Sequence, residues 1–367
     1  MDTRMGAAGT VDRRGDAPPR VLFVPVSGPS GMGEFARARG LAEAVAARWP
    51  QVEMHFLLHR DAPYAAACRF PTTLIPASPT LCDAEVIDAI RRFRPGVVVF
   101  DNAGRTAALK AARAAGAKVV YVSSRGRQRF KAFRLRWMRL LDDHWISYPS
   151  SIAGALSGFE RLKLRVAGRP QLRFLDAVVA PLDEAAATAL LPTMPAPDLV
   201  IVPGGGSAFH DSAMTPARFA RWGEALAAHG HRVVFVAGPS FTGEVAESER
   251  LRLVRGVGGG ALMALLRRSR LVLVNGGDTL LQALALGRPC VAVPIAGDQA
   301  ARIARCVAAG GVEAPTPEEV VARCAALLGD GPSGASLEAL AAAARAAGFT
   351  DALPGMVARI GEHLELV

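Results

Sequence analysis

Val274-Asn-Gly-Gly-Asp-Thr-Leu-Leu-Gln-Ala-Leu-Ala-Leu-Gly-Arg-Pro-Cys-Val-Ala-Val-Pro-Ile-Ala-Gly-Asp-Gln299 is the stretch whose reading decides the fold. It ends an apolar run, Leu271-Val-Leu-Val274, of the kind buried on both faces of a parallel sheet. Gly276 and Gly277 form a tight turn. Leucine and alanine then recur at helical spacing from Thr279 to Leu286, where Gly287 stops the helix. Cys290-Val-Ala-Val293 is a second apolar strand, and a polar turn closes on Asp298-Gln299. The two glycines let an anion approach the backbone, and the free N–H groups of the first helical turn favour negative charge. Asp278 or Thr279 is placed to cap that helix.

Outward from this segment the same order of elements recurs. Asp198-Leu-Val-Ile-Val202 reads as a strand, Pro203-Gly-Gly-Gly-Ser207 as a glycine-rich loop and Pro216 to His229 as a helix. Arg232 to Ala237 is the next strand, ending at Gly238. In the N-terminal half, Val21-Leu-Phe-Val-Pro-Val26 runs into Ser27-Gly-Pro-Ser-Gly-Met-Gly33 and a helix that carries Phe35, Ala38, Leu41, Ala42 and Val45 on one side. Gly96-Val-Val-Val-Phe100, Ala117 to Val122 and Trp145 to Tyr148 are further strands, separated by helices. Apolar strands alternating with helices predict an α/β fold of two Rossmann-like domains facing a central cleft. The expected boundaries are a disordered tail over 1–19, an N-terminal domain over 20–182 and a proline-rich linker over 183–197. A C-terminal domain then covers 198–345, and a final helix within 346–367 packs back on the N-terminal domain.

The run from Val274 to Gln299, with its Pro-Ile-Ala-Gly-Asp-Gln ending, resembles the donor-binding motif of GT-B glycosyltransferases, in particular the group containing the peptidoglycan transferase MurG. The resemblance implies that the C-terminal half binds a nucleotide sugar, UDP- or dTDP-linked, as a substrate and not as a cofactor. Asn275, Gly276, Gly277, Asp278 and Thr279 would then face the donor. Gln282 stands where the family places an acidic residue on the ribose, and Asp298-Gln299 matches the polar pair that touches the donor sugar. Gly204, Gly205, Gly206 and Ser207 would lie near the phosphates with Gly238 on the same edge, and 254–263 would line the base. His210, beside that loop, is the one histidine worth testing. In the N-terminal half Gly31 and Gly33 belong to the loop where related transferases carry a glycine–histidine pair. Here Glu34 replaces the histidine, and a glutamate can accept a proton from an acceptor hydroxyl. Asp101, just past the strand Val97 to Phe100, is the second candidate base. Both carry bland readings as well, Glu34 as a first-turn carboxylate on a helix dipole and Asp101 as a cap. Retaining relatives often carry two glutamates where this chain has Val274 and Gln282, so an inverting reaction is expected. No Asp-x-Asp motif is present, and no metal is implied.

Composition bounds the rest. With 367 residues, 51% hydrophobic and 21% charged, the chain folds as two ordinary domains. The five cysteines lie far apart, so neither a zinc site nor a disulfide framework is expected, and Cys290 reads as a buried thiol. The net charge of +10 clusters in Arg125-Gly-Arg-Gln-Arg-Phe-Lys-Ala-Phe-Arg-Leu-Arg-Trp-Met-Arg139. Arg125, Arg127, Arg129, Lys131 and Arg134, with Trp137 among them, suit an anionic membrane face or a glycan or lipid-linked acceptor. The competing reading is a helix with apolar residues inward and arginines snorkelling outward. No recognised nucleic-acid module is present. A cytoplasmic protein, peripheral at the inner face of the plasma membrane, fits these features. Two other readings use the same fold, a nucleotide-sugar hydrolase or epimerase and a non-catalytic nucleotide-binding scaffold.

Overall fold

The computed structural model describes residues 18–29, 31–194, 196–204, 214–239, 241–329 and 332–367. Gly205, Gly206, Ser207 and His210 lie outside the described residues, as does nearly all of the expected tail.

Thirteen described strands form two parallel sheets. In the first, β1 (Arg20–Pro25), β2 (Glu53–His59), β3 (Thr72–Ile75), β4 (Val97–Asp101), β5 (Lys118–Ser123), β6 (Asp143–Ser147) and β7 (Gln171–Leu175) lie in the order β3-β2-β1-β4-β5-β6-β7. In the second, β8 (Leu199–Val202), β9 (Val233–Val236), β10 (Leu251–Val254), β11 (Leu271–Val274), β12 (Cys290–Ala292) and β13 (Val312–Glu313) lie in the order β10-β9-β8-β11-β12-β13. Each order reverses beside its first strand, β1 against β4 and β8 against β11, and ligands of doubly wound sheets bind outside the strand ends at that reversal.

The continuous apolar strands serve two cores at once, because successive side chains point to opposite faces. Val21, Phe23, Val97 and Val99 enter one core, while Leu22, Val24, Val98 and Phe100 enter the other. The second sheet divides in the same way, with Val200, Val202, Val272 and Val274 on one face and Leu199, Ile201, Leu271 and Leu273 on the other. Cys290 is buried in the second domain, and burial raises its thiol pKa.

Two segments differ from expectation. The stretch 183–197, read as a linker, holds the helix Glu184–Leu190, whose neighbours Ala187, Leu191 and Met194 sit in the C-terminal core. Asp183 accepts the Ala186 N–H at 2.9 Å as its N-cap, and Glu184 pairs with Arg268. Pro181 and Pro192 flank this helix without interrupting it, so proline density marked its ends and not a loose connection. The strand Gln171–Leu175 was not legible, because it is an edge strand with alternating polar residues.

The chain returns at its end to the first domain. The helix Leu353–His363 places Leu353, Met356 and Ile360 in the core that also holds Val21 and Trp49. Arg359 and His363 on the same helix close on the fully buried carboxylate of Asp143, at the start of β6.

Candidate functional site

Three loops after strands of the second sheet are tied together by two amide side chains. Asn275, 5% exposed, donates from Nδ2 to the Pro203 carbonyl at 2.8 Å and accepts the Gly277 N–H at 2.8 Å. Gln299 accepts the Gly276 N–H at 3.2 Å and the Ile295 N–H at 2.9 Å on one oxygen. Gly204, at φ +109°, lies so close to the Asn275 amide that a Cβ there would collide with it. A Cβ at Gly276 would meet Gln299 and Ile303. Gly204 and Gly276 are therefore demanded by the packing of the loops, whatever ligand they admit. Gly238 lies two residues past the end of β9, and its carbonyl accepts the Phe241 N–H.

Several expected donor contacts take other partners. Gln299 is 5% exposed and bonded within the turn, so its carbonyl oxygen is not turned to a sugar. Asp298 is exposed and pairs with Arg302 at 2.9 Å. Gln282 donates to the Val178 carbonyl at 2.7 Å, which ties the helix Asp278–Ala285 to the connection between the halves. Neither Asp278 nor Thr279 caps that helix. Gly277 occupies the N-cap without a side-chain bond, and Asp278 reaches across the cleft instead.

There it meets the first domain. Arg37, on the helix Gly33–Arg48, grips Asp101 at the end of β4 through two bonds, Nε to Oδ2 at 2.8 Å and Nη2 to Oδ1 at 3.0 Å. Its remaining terminal nitrogen reaches Asp278 Oδ2 at 2.8 Å and Ser147 Oγ at 3.2 Å. Tyr148 donates to the other Asp278 oxygen at 2.8 Å, and the Arg302 guanidinium lies over its ring at 4.5 Å. Tyr148 holds φ +89°, a conformation rare for an aromatic residue, and its burial raises the phenol pKa. Burial opposes the Arg37 charge, yet Asp101 and Asp278 hold its pKa well above the ordinary value. Burial likewise pushes Asp101 up to about 6 despite Arg37. Arg37, Tyr148 and Arg302 were missed in the sequence.

Glu34 stands one helical turn before Arg37 and is only half-buried. It accepts the Asn102 Nδ2 at 2.9 Å, its one hydrogen bond among the described residues. Asn102 is itself fixed, at φ +56°, by bonds with the Ser124 hydroxyl and N–H. Gly31, at φ +78°, supplies the turn that leads into this helix, and Gly33 lies beside Asp278. The two candidate bases therefore differ. Asp101 is 1% exposed and held by Arg37, whereas Glu34 is half-buried and bonded to the neutral Asn102 amide.

The basic run forms two short helices, Gly126–Ala132 and Leu135–Met138, and not one. Two of its members turn inward, Trp137 as the competing reading with apolar residues inward has it and Arg129 contrary to both readings. Arg129 pairs with Glu160 at 2.8 Å and donates to the carbonyls of 153–155, while Trp137 is 3% exposed and donates to Thr106. Arg125, Arg127 and Arg134 remain outside, and Lys131 is half-buried. Partial burial, then Arg127, Arg105 and Arg134, lower the Lys131 pKa. Beside them runs the helix Gly158–Ala167, whose Phe159, Leu162 and Val166 form an outward apolar stripe, 66%, 54% and 74% exposed. Phe130 and Leu135 are exposed on the neighbouring helices, which Arg129 and Lys163 tie to this one.

No protein-family model matches the chain, and no curated protein does. Solved structures do match over nearly its whole length. A spinosyn forosaminyltransferase is 16% identical over 95% of this chain and 99% of its own, with a TM-score of 0.62. A UGT transferase from Siraitia grosvenorii, solved in complex with UDP, is 14% identical over 94% and 99%, with a TM-score of 0.60. MurG of Acinetobacter baumannii is 13% identical over 94% and 100%, with a TM-score of 0.56. The chain has the GT-B fold.

Proposed function

We propose that this chain is an inverting, metal-independent glycosyltransferase that moves a sugar from a nucleoside-diphosphate donor to a hydroxyl acceptor, with Glu34 as the base. One observation carries the reading: of the two candidate carboxylates, Glu34 is half-buried and bonded to Asn102, while Asp101 is buried and gripped by Arg37. Glu34 is thus oriented and left with acceptor capacity, whereas both oxygens of Asp101 are occupied. The donor's leaving diphosphate would be met by the amides around Gly276 and Gly277 and by the first turn of the helix Asp278–Ala285. The UDP in one similar structure supports a uridine nucleotide as the first donor to try.

The acceptor would come from a membrane. Phe130, Leu135, Phe159, Leu162 and Val166, ringed by Arg127, Arg134, Arg136, Arg161 and Arg165, combine exposed apolar side chains with one sign of charge. An anionic bilayer satisfies both at once, the stripe entering the headgroup region and the arginines meeting lipid phosphates. Among the described residues no helix is long and apolar enough to cross a membrane; the proposed attachment is peripheral, through this surface. A hydrolase needs no acceptor surface, so this patch speaks against that alternative.

Thermal unfolding against UDP, dTDP, GDP and ADP tests the donor half, since a ligand that binds only the folded state raises the midpoint. One nucleotide is expected to stand out, and no shift with any would overturn the reading. Flotation with phosphatidylglycerol vesicles tests the acceptor half. The wild type should float and the triple variant F159S/L162S/V166S should not. Equal flotation of the two would remove the membrane from the proposal.

A further inference from the structure

The Asp278 carboxylate sits where a donor's negative charge would have to go. It occupies the first position of the helix Asp278–Ala285, beside the glycine turn, and the first domain closes on it from two directions. Arg37, 6% exposed, gives it one guanidinium nitrogen, and Tyr148 gives it a hydroxyl from a backbone held at φ +89°. Arg302 lies over the far side of the Tyr148 ring and also donates to the Gly276 carbonyl. A cation and a hydroxyl thus converge on one carboxylate that belongs to the protein.

We infer that Asp278 is a specificity-determining residue of the donor site, a resident anion that competes with the donor's diphosphate for Arg37 and Tyr148. The inference rests on the donor reading above. A diphosphate brought to the glycine turn meets a like charge a few ångströms away, while the groups best suited to bind it are engaged. Its entry has to turn Asp278 away and take over Arg37 and Tyr148. Those bonds are also the contact between the domains at this point, and a diphosphate held by the glycine turn, Arg37 and Tyr148 would take their place. A neutral nucleoside meets no such competition. The site therefore discriminates by phosphate charge, and the wild type binds nucleoside diphosphates less tightly than the same site would without this carboxylate.

Calorimetric titration of wild type, Asp278→Asn and Tyr148→Phe with UDP, UMP and uridine decides the matter. D278N keeps the side-chain shape and removes the charge. It is expected to bind UDP about tenfold more tightly than wild type and uridine with unchanged affinity. Y148F keeps the Asp278 charge and removes a hydroxyl that the diphosphate would take over, so it should bind UDP no more tightly than wild type, and a gain matching that of D278N would overturn the inference. D278N binding UDP equally or more weakly would overturn the inference, as would an equal gain for uridine. The donor reading is judged separately, on the wild type. If wild type binds UDP and D278N gains nothing, the donor reading stands and the inference alone falls. If both are silent toward UDP, UMP and uridine, the inference falls.

Discussion

Glu34→Gln is expected to lower turnover by roughly 10²- to 10⁴-fold while leaving the nucleotide-induced rise in unfolding temperature unchanged. The amide keeps the length of the side chain and can still accept from Asn102, so the loop after β1 has no reason to move. What it loses is the capacity to take a proton from the acceptor hydroxyl as the new bond forms. The loss should therefore appear in kcat, with little change in KM for the donor. Asp101→Asn makes the instructive contrast. Its carboxylate faces Arg37 and not the open cleft, so a fall in activity there should come with a fall in stability. If E34Q retains wild-type turnover, Glu34 is not the base. If it loses nucleotide binding as well, its role is in holding the donor side of the cleft together.

The architecture was legible for a physical reason. Strands such as Val97–Asp101 and Leu271–Val274 are buried on both faces, so their apolar runs stand out against the helical spacing around them. Edge elements lack that signature. Gln171–Leu175 alternates exposed and half-buried residues, and Val312–Glu313 is two residues long. The candidate site was legible only in part. Its glycine turns follow strands, as local sequence suggests, and Glu34 follows the first of the glycine loops. Arg37 and Asp278 are 241 positions apart, and nothing local in either says that they meet. Tyr148, next to Pro149 at the end of a strand, gives no hint in sequence that its ring reaches the other domain. The basic run misled in a different way. Its charges suggested one outward helix, but the chain bends near Phe133 and Arg134, which turns Arg129 and Trp137 inward. The apolar stripe that makes the surface a docking candidate lies on the helix Gly158–Ala167, outside the basic run that stood out in the sequence.

Arg37→Ala is expected to cost about 3 to 5 kcal/mol of stability at pH 8, because it strands a buried carboxylate. Asp101 is 1% exposed and carries its charge only because Arg37 answers both of its oxygens. The dependence on pH separates this cause from lost packing. Burial already holds Asp101 at about 6, above the usual 3.8, and removing Arg37 moves it higher still. A carboxyl whose folded pKa is raised destabilises the fold at pH values above that pKa. The loss is relieved as pH falls through it, since the folded state then binds the proton that the unfolded chain still lacks. The deficit of R37A relative to wild type should therefore be full at pH 8 and clearly smaller at pH 5, read as denaturant midpoints at each pH. The double variant R37A/D101N should recover most of the loss at pH 8 and show little dependence on pH, because no charge remains to be stranded. A deficit in R37A that is the same at both pH values would assign the effect to the lost contacts with Ser147 and Asp278. It would also mean that Asp101 is not the charge around which this end of the first sheet is built.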